Sequence, residues 1–186
     1  MLKTFRQIAA VGIATEPPPR PDQALRLREA LQARILAVLG RALCIRAVDA
    51  GSCNGCELEI HALNNPLYNL EGLGIRFVAS PRHADLLLVT GPVSRHMEVA
   101  LRRTYEATPD PKLVVAVGDC GCTGGIFGEG YASCGRVANV IPVDVAVPGC
   151  PPNPTRILAG ILAAVAHARA DSAADRFQGR QTESLP

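Results

Sequence analysis

The run Asp85-Leu-Leu-Leu-Val-Thr90 has no polar face. Leu113-Val-Val-Ala-Val117 repeats the pattern, and residues 43–48, Ile75-Arg-Phe-Val-Ala79 and Val143-Asp-Val-Ala-Val147 come close to it. A strand that is apolar on both sides must be covered on both sides, as happens in a parallel sheet. Helical segments fall between or after these runs, at 57–64, 94–107 and 155–168. The alternation predicts an α/β domain with a mainly parallel sheet and helices on both faces. Each run ends in small or turn-forming residues: Gly51, Ser80-Pro81, Gly91-Pro92, Gly118-Asp119 and Pro148-Gly149. In a parallel sheet such strand ends open at one carboxyl edge, where open α/β sheets place their chemistry.

The 186 residues suit one domain with peripheral extensions, and 48% hydrophobic content is ample for its core. Residues 1–23 read as an N-terminal arm with a stiff linker, Glu16-Pro-Pro-Pro-Arg-Pro21. Residues 24–41 read as a basic amphipathic helix with Leu27, Leu31, Ile35 and Val38 on one face. That face would cover the core or a partner, or lie on an anionic membrane surface. The α/β domain spans 42–170, and the polar segment 171–186 reads as a flexible tail. A net charge of +2 and 4% aromatic residues without Trp argue against nucleic acid. No apolar run reaches the ~18–20 residues of a membrane span. No secretory signal is read at the N-terminus. A reducing compartment follows, in which seven cysteines point to metal or redox chemistry rather than disulfides.

Three strand-end loops carry cysteine. They are Cys53-Asn-Gly-Cys56, Gly118-Asp-Cys-Gly-Cys-Thr-Gly-Gly-Ile-Phe127 and Pro148-Gly-Cys-Pro-Pro152. If the strands are parallel, the three loops converge. Thiolates spaced as Cys53 and Cys56 are can grip one soft metal ion or one edge of an iron–sulfur cluster. Gly51, Gly55, Gly121, Gly124, Gly125 and Gly149 would let backbone N–H groups approach sulfur. Helix N-termini after Cys56 and Pro154 would face the same place. A structural Zn(Cys)4 site and a redox-active dithiol remain rival readings of this pattern.

These motifs, together with Cys-Asn-Gly-Cys-Glu-Leu-Glu59, Ala84-Asp-Leu-Leu-Leu-Val-Thr-Gly-Pro92 and Ile141-Pro-Val-Asp-Val145, resemble a known family. It is the small electron-transfer subunit of membrane-bound, energy-converting [NiFe] hydrogenases of the formate hydrogenlyase and hydrogenase-4 type. Its superfamily includes the 20 kDa subunit of NADH:quinone oxidoreductase (complex I). The resemblance covers about residues 43–165. It implies a flavodoxin-like fold and one [4Fe–4S] cluster on Cys53, Cys56, Cys120 and Cys150. It also implies a non-catalytic relay that passes electrons between a [NiFe] large subunit and a ferredoxin-like iron–sulfur subunit. Membrane-arm subunits would hold the complex on the cytoplasmic, inner face of the cell membrane. The complex I subunit typically has adjacent cysteines where this chain has CxxC, so the spacing favours the hydrogenase branch. Transfer to quinone is the alternative, and a zinc-binding assembly subunit a third reading.

Other residues have plainer readings beside the functional ones. Alignment on Cys56 puts the family glutamate at Glu59, a candidate proton relay, while Glu57 suits a helix first turn. Cys122 competes with Cys120 as a ligand. Cys134 reads as a packed thiol and Cys44 as a core residue. Asp119 and Asp144 read as structural acceptors, and His61 and His83 as interface or satisfied histidines. Arg76 and Arg82 could neutralise charge near the cluster or pair with a partner.

Overall fold

The structure is a computed structural model. It describes residues 41–179, with side chains to residue 166, and Arg6, Ala9, Ala10, Arg26, Glu29, Ala30, Gln32, Ala33 and Ala37 before them. Most of the arm, the linker, most of the expected helix at 24–41 and the segment beyond 179 lie outside the described residues. Within that expected helix, the described positions Arg26, Glu29, Ala30, Gln32, Ala33 and Ala37 are helical.

Five strands form one sheet: β1 (Leu43–Asp49), β2 (Ile75–Phe77), β3 (Leu86–Thr90), β4 (Leu113–Val117) and β5 (Val145–Val147). Their order is β2-β1-β3-β4-β5 and every pairing is parallel. This is the flavodoxin-like order, and its switch point lies between β1 and β3. The described helices are α1 (Gly55–Ala62), α2 (Arg95–Ala107), α3 (Gly118–Thr123) and α4 (Pro154–Gly179).

Successive residues of a strand face opposite sides, so the all-apolar runs feed two cores. Leu86, Leu88, Val115 and Val117 join Ile60, Leu63, Ile157 and Ile161 beneath α1 and α4. Leu87, Val89, Val114 and Ala116 join Leu101, Val137 and Ile141 on the other face. The expected strands agree with the observed ones to within two residues at each end. Gly160 lets α4 approach β5, since a Cβ there would lie 2.2 Å from Val147 Cγ2.

Two local expectations change. The segment after β4, expected as a loop, opens with the helix α3, whose end is capped by Gly124 at φ 92°. The final helix, expected to stop near 168, runs to Gly179, into the segment read as a tail.

Candidate metal centre

Cys53, Cys56, Cys120 and Cys150 line one cavity of about 150 Å³ at the carboxyl edge of the sheet, with Gly91, Asp119 and Gly149. The loop after β1 and helix α1 supply Cys53 and Cys56. Helix α3, after β4, supplies Cys120, and the turn after β5 supplies Cys150. Parallel strands therefore bring together residues 97 positions apart in the chain, from Cys53 to Cys150.

The cavity exists because glycines leave room. A Cβ on Gly118 would lie 2.6 Å from Cys56 Sγ, and one on Gly125 2.9 Å from Cys120 Sγ. Gly91, at φ 78°, yields space to the CxxC turn, because its Cβ would lie 2.6 Å from the Ser52 nitrogen. Gly121 does something else: its Cα side meets Val89 and Ala116, so it packs α3 onto the sheet rather than approaching sulfur.

Hydrogen bonds hold the loops in register. Asp49 Oδ1 accepts the Gly51 and Ser52 amides, each at 2.8 Å. The Asn54 amide donates to Ser52 Oγ at 3.0 Å, and Asn54 turns the chain at φ 72° into α1. The Asp119 amide donates to the Gly149 carbonyl and the Gly149 amide donates back to Asp119 Oδ1, both at 2.8 Å. This reciprocal pair ties the second cysteine segment to the third. Asp144 is a structural acceptor of the Val114 amide at 2.6 Å.

The thiols influence one another. Burial pushes Cys56 up to about 12, and the charge of Glu57 followed by Cys53, Cys120 and Cys150 adds to the shift. Burial and then Cys150 and Cys53 also raise Cys120. Cys56 is therefore a thiol at neutral pH, and a metal that takes it must displace its proton. No three His, Cys, Asp or Glu among the described residues are placed to share a single metal ion. The donor set nonetheless fits a sulfur-ligated, multi-atom group: four thiols surround a space of about five water volumes.

The remaining candidates separate clearly. Cys122 turns away from the cavity and donates to the Ala116 carbonyl at 3.6 Å, with burial raising it to about 11. Cys134 is buried and donates to Glu98 Oε2 at 3.3 Å, and Cys44 is buried in β1. Glu57 accepts hydrogen bonds from Ser52 Oγ at 2.5 Å and from the Thr90 hydroxyl. Glu59 has no hydrogen-bond or ion-pair partner among the described residues. His61 is exposed and lines a separate cavity of about 300 Å³ with Glu57 and Arg46. Arg76, Arg82 and His83 line a cleft at the amino edge with Arg41 and Asp85, so Arg76 and Arg82 do not neutralise charge at the cysteines. Sequence reasoning missed Ser52 and Thr90. The signal available for Thr90 was a lone hydroxyl closing an apolar strand.

The family model for "NADH ubiquinone oxidoreductase, 20 Kd subunit" matches residues 53–164. The chain is 46% identical over 133 residues to a probable membrane-bound hydrogenase subunit of Pyrococcus furiosus, covering 72% of this chain and 80% of that one. It is 44% identical over 135 residues to formate hydrogenlyase subunit 7 of Escherichia coli, covering 73% of this chain and 53% of the relative. An NADH-quinone oxidoreductase subunit of Desulfovibrio desulfuricans is 44% identical over 107 residues, 58% of each chain. A chain in the structure of the membrane-bound sulfane sulfur reductase, an archaeal respiratory membrane complex, superposes with a TM-score of 0.61 at 32% identity, covering 85% of this chain and 90% of that chain. The chain thus belongs to the 20 kDa subunit family of NADH ubiquinone oxidoreductase, the electron-transfer, iron–sulfur subunits of oxidoreductase complexes.

Proposed function

We propose that this chain is the electron-relay subunit of a membrane-associated, hydrogenase-type complex and holds one [4Fe–4S] cluster on Cys53, Cys56, Cys120 and Cys150. The observation that carries this is the convergence of four thiols from three strand ends on one small cavity. Bound there, the cluster supplies a one-electron reservoir. The protein supplies position, with glycines that admit the sulfurs closely and the Asp119–Gly149 pair that fixes two of the segments.

The partners proposed are a [NiFe]-type large subunit, a ferredoxin-like iron–sulfur subunit and membrane-arm subunits. The segment after α3 supports an interface beside the site, since Ile126 is 94% and Tyr131 100% exposed, with Phe127 between them. None of the described helices is long and apolar enough to cross a membrane. The attachment proposed is to the cytoplasmic face through those partners. Glu59, three residues after Cys56, is the carboxylate left available to carry a proton toward a partner.

Two observations favour the hydrogenase branch over quinone reduction. The similarity extends over 133 and 135 residues with the hydrogenase-type relatives, against 107 to 126 with the NADH-quinone oxidoreductase relatives. The CxxC spacing also matches that branch. The test is iron content and reduced-state EPR of serine variants in the full chain, purified without oxygen. Cys53→Ser, Cys56→Ser, Cys120→Ser and Cys150→Ser should lose the cluster, whereas Cys44→Ser, Cys122→Ser and Cys134→Ser should keep it. A colourless protein containing zinc, or a cluster lost on Cys122→Ser but kept on Cys120→Ser, would overturn the assignment.

A further inference from the structure

Glu57 makes contacts that a helix first-turn carboxylate does not need. It is half-buried, and both of its oxygens are engaged by hydroxyls from different parts of the chain. Ser52 belongs to the CxxC turn and donates to Oε2 at 2.5 Å. Thr90 is the last residue of β3, is 1% exposed, and donates to Oε1. Ser52 Oγ also accepts the Asn54 amide at 3.0 Å, so the tether reaches both ends of the turn that carries Cys53. Asp49 holds the other side of the same turn through the Gly51 and Ser52 amides. β1 and β3 are neighbours in the sheet, with Asp49 paired to Thr90. The turn is thereby fastened to both strands that flank the switch point.

We infer that Glu57 is a positioning residue that sets where Cys53 and Cys56 stand by tying the CxxC turn to the end of β3 through Ser52 and Thr90. The inference rests on the cluster reading above. Partners that orient metal ligands from behind typically change metal affinity by about 10- to 100-fold when removed. A carboxylate with both oxygens bonded to fixed hydroxyls is such a partner. Glutamine can take over this role. Its carbonyl still accepts from Ser52, its amide donates to Thr90 Oγ, and the Thr90 hydroxyl turns to the Val48 carbonyl, already 3.3 Å away. Alanine leaves both hydroxyls without this partner.

The test compares full-length variants purified without oxygen. The readouts are iron per chain, the rate of iron transfer to a ferrous chelator, and the reduced-state EPR line shape. Glu57→Ala is expected to release iron about 10- to 100-fold faster, with a broadened spectrum. Thr90→Val, which keeps the shape and removes the hydroxyl, and Ser52→Ala should each move the same way. Their double variant should be less than additive, because both act through one carboxylate. Glu57→Gln should stay within about twofold of the parent, since the tether survives. Parent-like iron release from Glu57→Ala overturns the inference, as does Glu57→Gln behaving like Glu57→Ala. If Glu57→Ala does not fold, Thr90→Val decides: folded with parent-like release and spectrum, it refutes the tether. A parent chain carrying zinc instead of iron defeats the cluster reading, and the same comparison made on zinc release still decides whether Glu57 positions the turn.

Discussion

Replacing Gly118 with alanine should empty the site while leaving the fold standing. Gly118 sits at φ 86°, where an L-residue costs about 1–2 kcal/mol. Its Cβ would lie 2.6 Å from Cys56 Sγ. Ordinary non-bonded contacts begin near 3.5 Å, so the sulfur would have to retreat by about 1 Å. That is about twice the ~0.5 Å that a preorganised site tolerates. Gly128 is the matched control: it has φ 56° and nothing within 4 Å of its Cβ position. Gly128→Ala carries the backbone strain without the overlap. Gly128→Ala should lose about 1–2 kcal/mol in urea unfolding, and Gly118→Ala at least as much. Only Gly118→Ala should lose iron, measured per chain on the protein as purified, with its reduced EPR signal weakened in proportion. A full iron complement and an unchanged spectrum in Gly118→Ala would refute the reasoning. Equal iron loss in Gly128→Ala would do the same, because strain alone would then explain it.

Other substitutions probe separate parts of the structure. Leu88→Ala opens the core beneath α1 and α4 and should cost about 2–5 kcal/mol in urea unfolding. Asp119→Ala removes half of the bond pair between the second and third cysteine segments and should speed iron release, while Asp119→Asn keeps the Oδ1 acceptor and should stay near the parent. Glu98 is held below the ordinary glutamate range, first by the Cys134 thiol and then by Arg102, so Cys134→Val should raise its value in a carbon-detected NMR titration. Because the folded value is the lower one, the stability Glu98 adds is present above the unfolded value and is lost as pH falls through the folded one. In the Cys134→Val protein that pH dependence should shrink.

The sheet was legible in the sequence because its strands are buried on both faces. Leu86-Leu-Leu-Val89, set among alternating helical segments, suits a parallel strand covered on both faces. Convergence of Cys53, Cys56, Cys120 and Cys150 followed from that one inference, since parallel strands put their following loops on one edge. What remained hidden depended on which strands are neighbours. Glu57 meets Thr90 across 33 residues, and Asp119 meets Gly149 across 30. Local pattern carries no trace of either pairing. Helix α3 was hidden for another reason: Gly-Asp-Cys-Gly-Cys-Thr has poor helix propensity, and burial against β3, β4 and β5 overrides it. The sequence spacing of Cys120 and Cys122 likewise left both as rivals. Only the turn of α3 sends one thiol to the cavity and the other back to the Ala116 carbonyl.

The central strand β3 gives the site a glycine where its neighbours give cysteines. Gly91 lets the CxxC turn pass over the end of that strand, so sulfurs rooted in β1 on one side meet sulfurs rooted in β4 and β5 on the other. From β1 to β5 the sheet makes three steps, an accumulated rotation of roughly 60–75°. The spacing of the sulfurs is thus a readout of sheet twist. A sheet bonded along its whole width and packed on both faces resists torsion. A group held at its rim would see almost the same cage before and after gaining an electron, and little of the driving force would be spent in rearranging it.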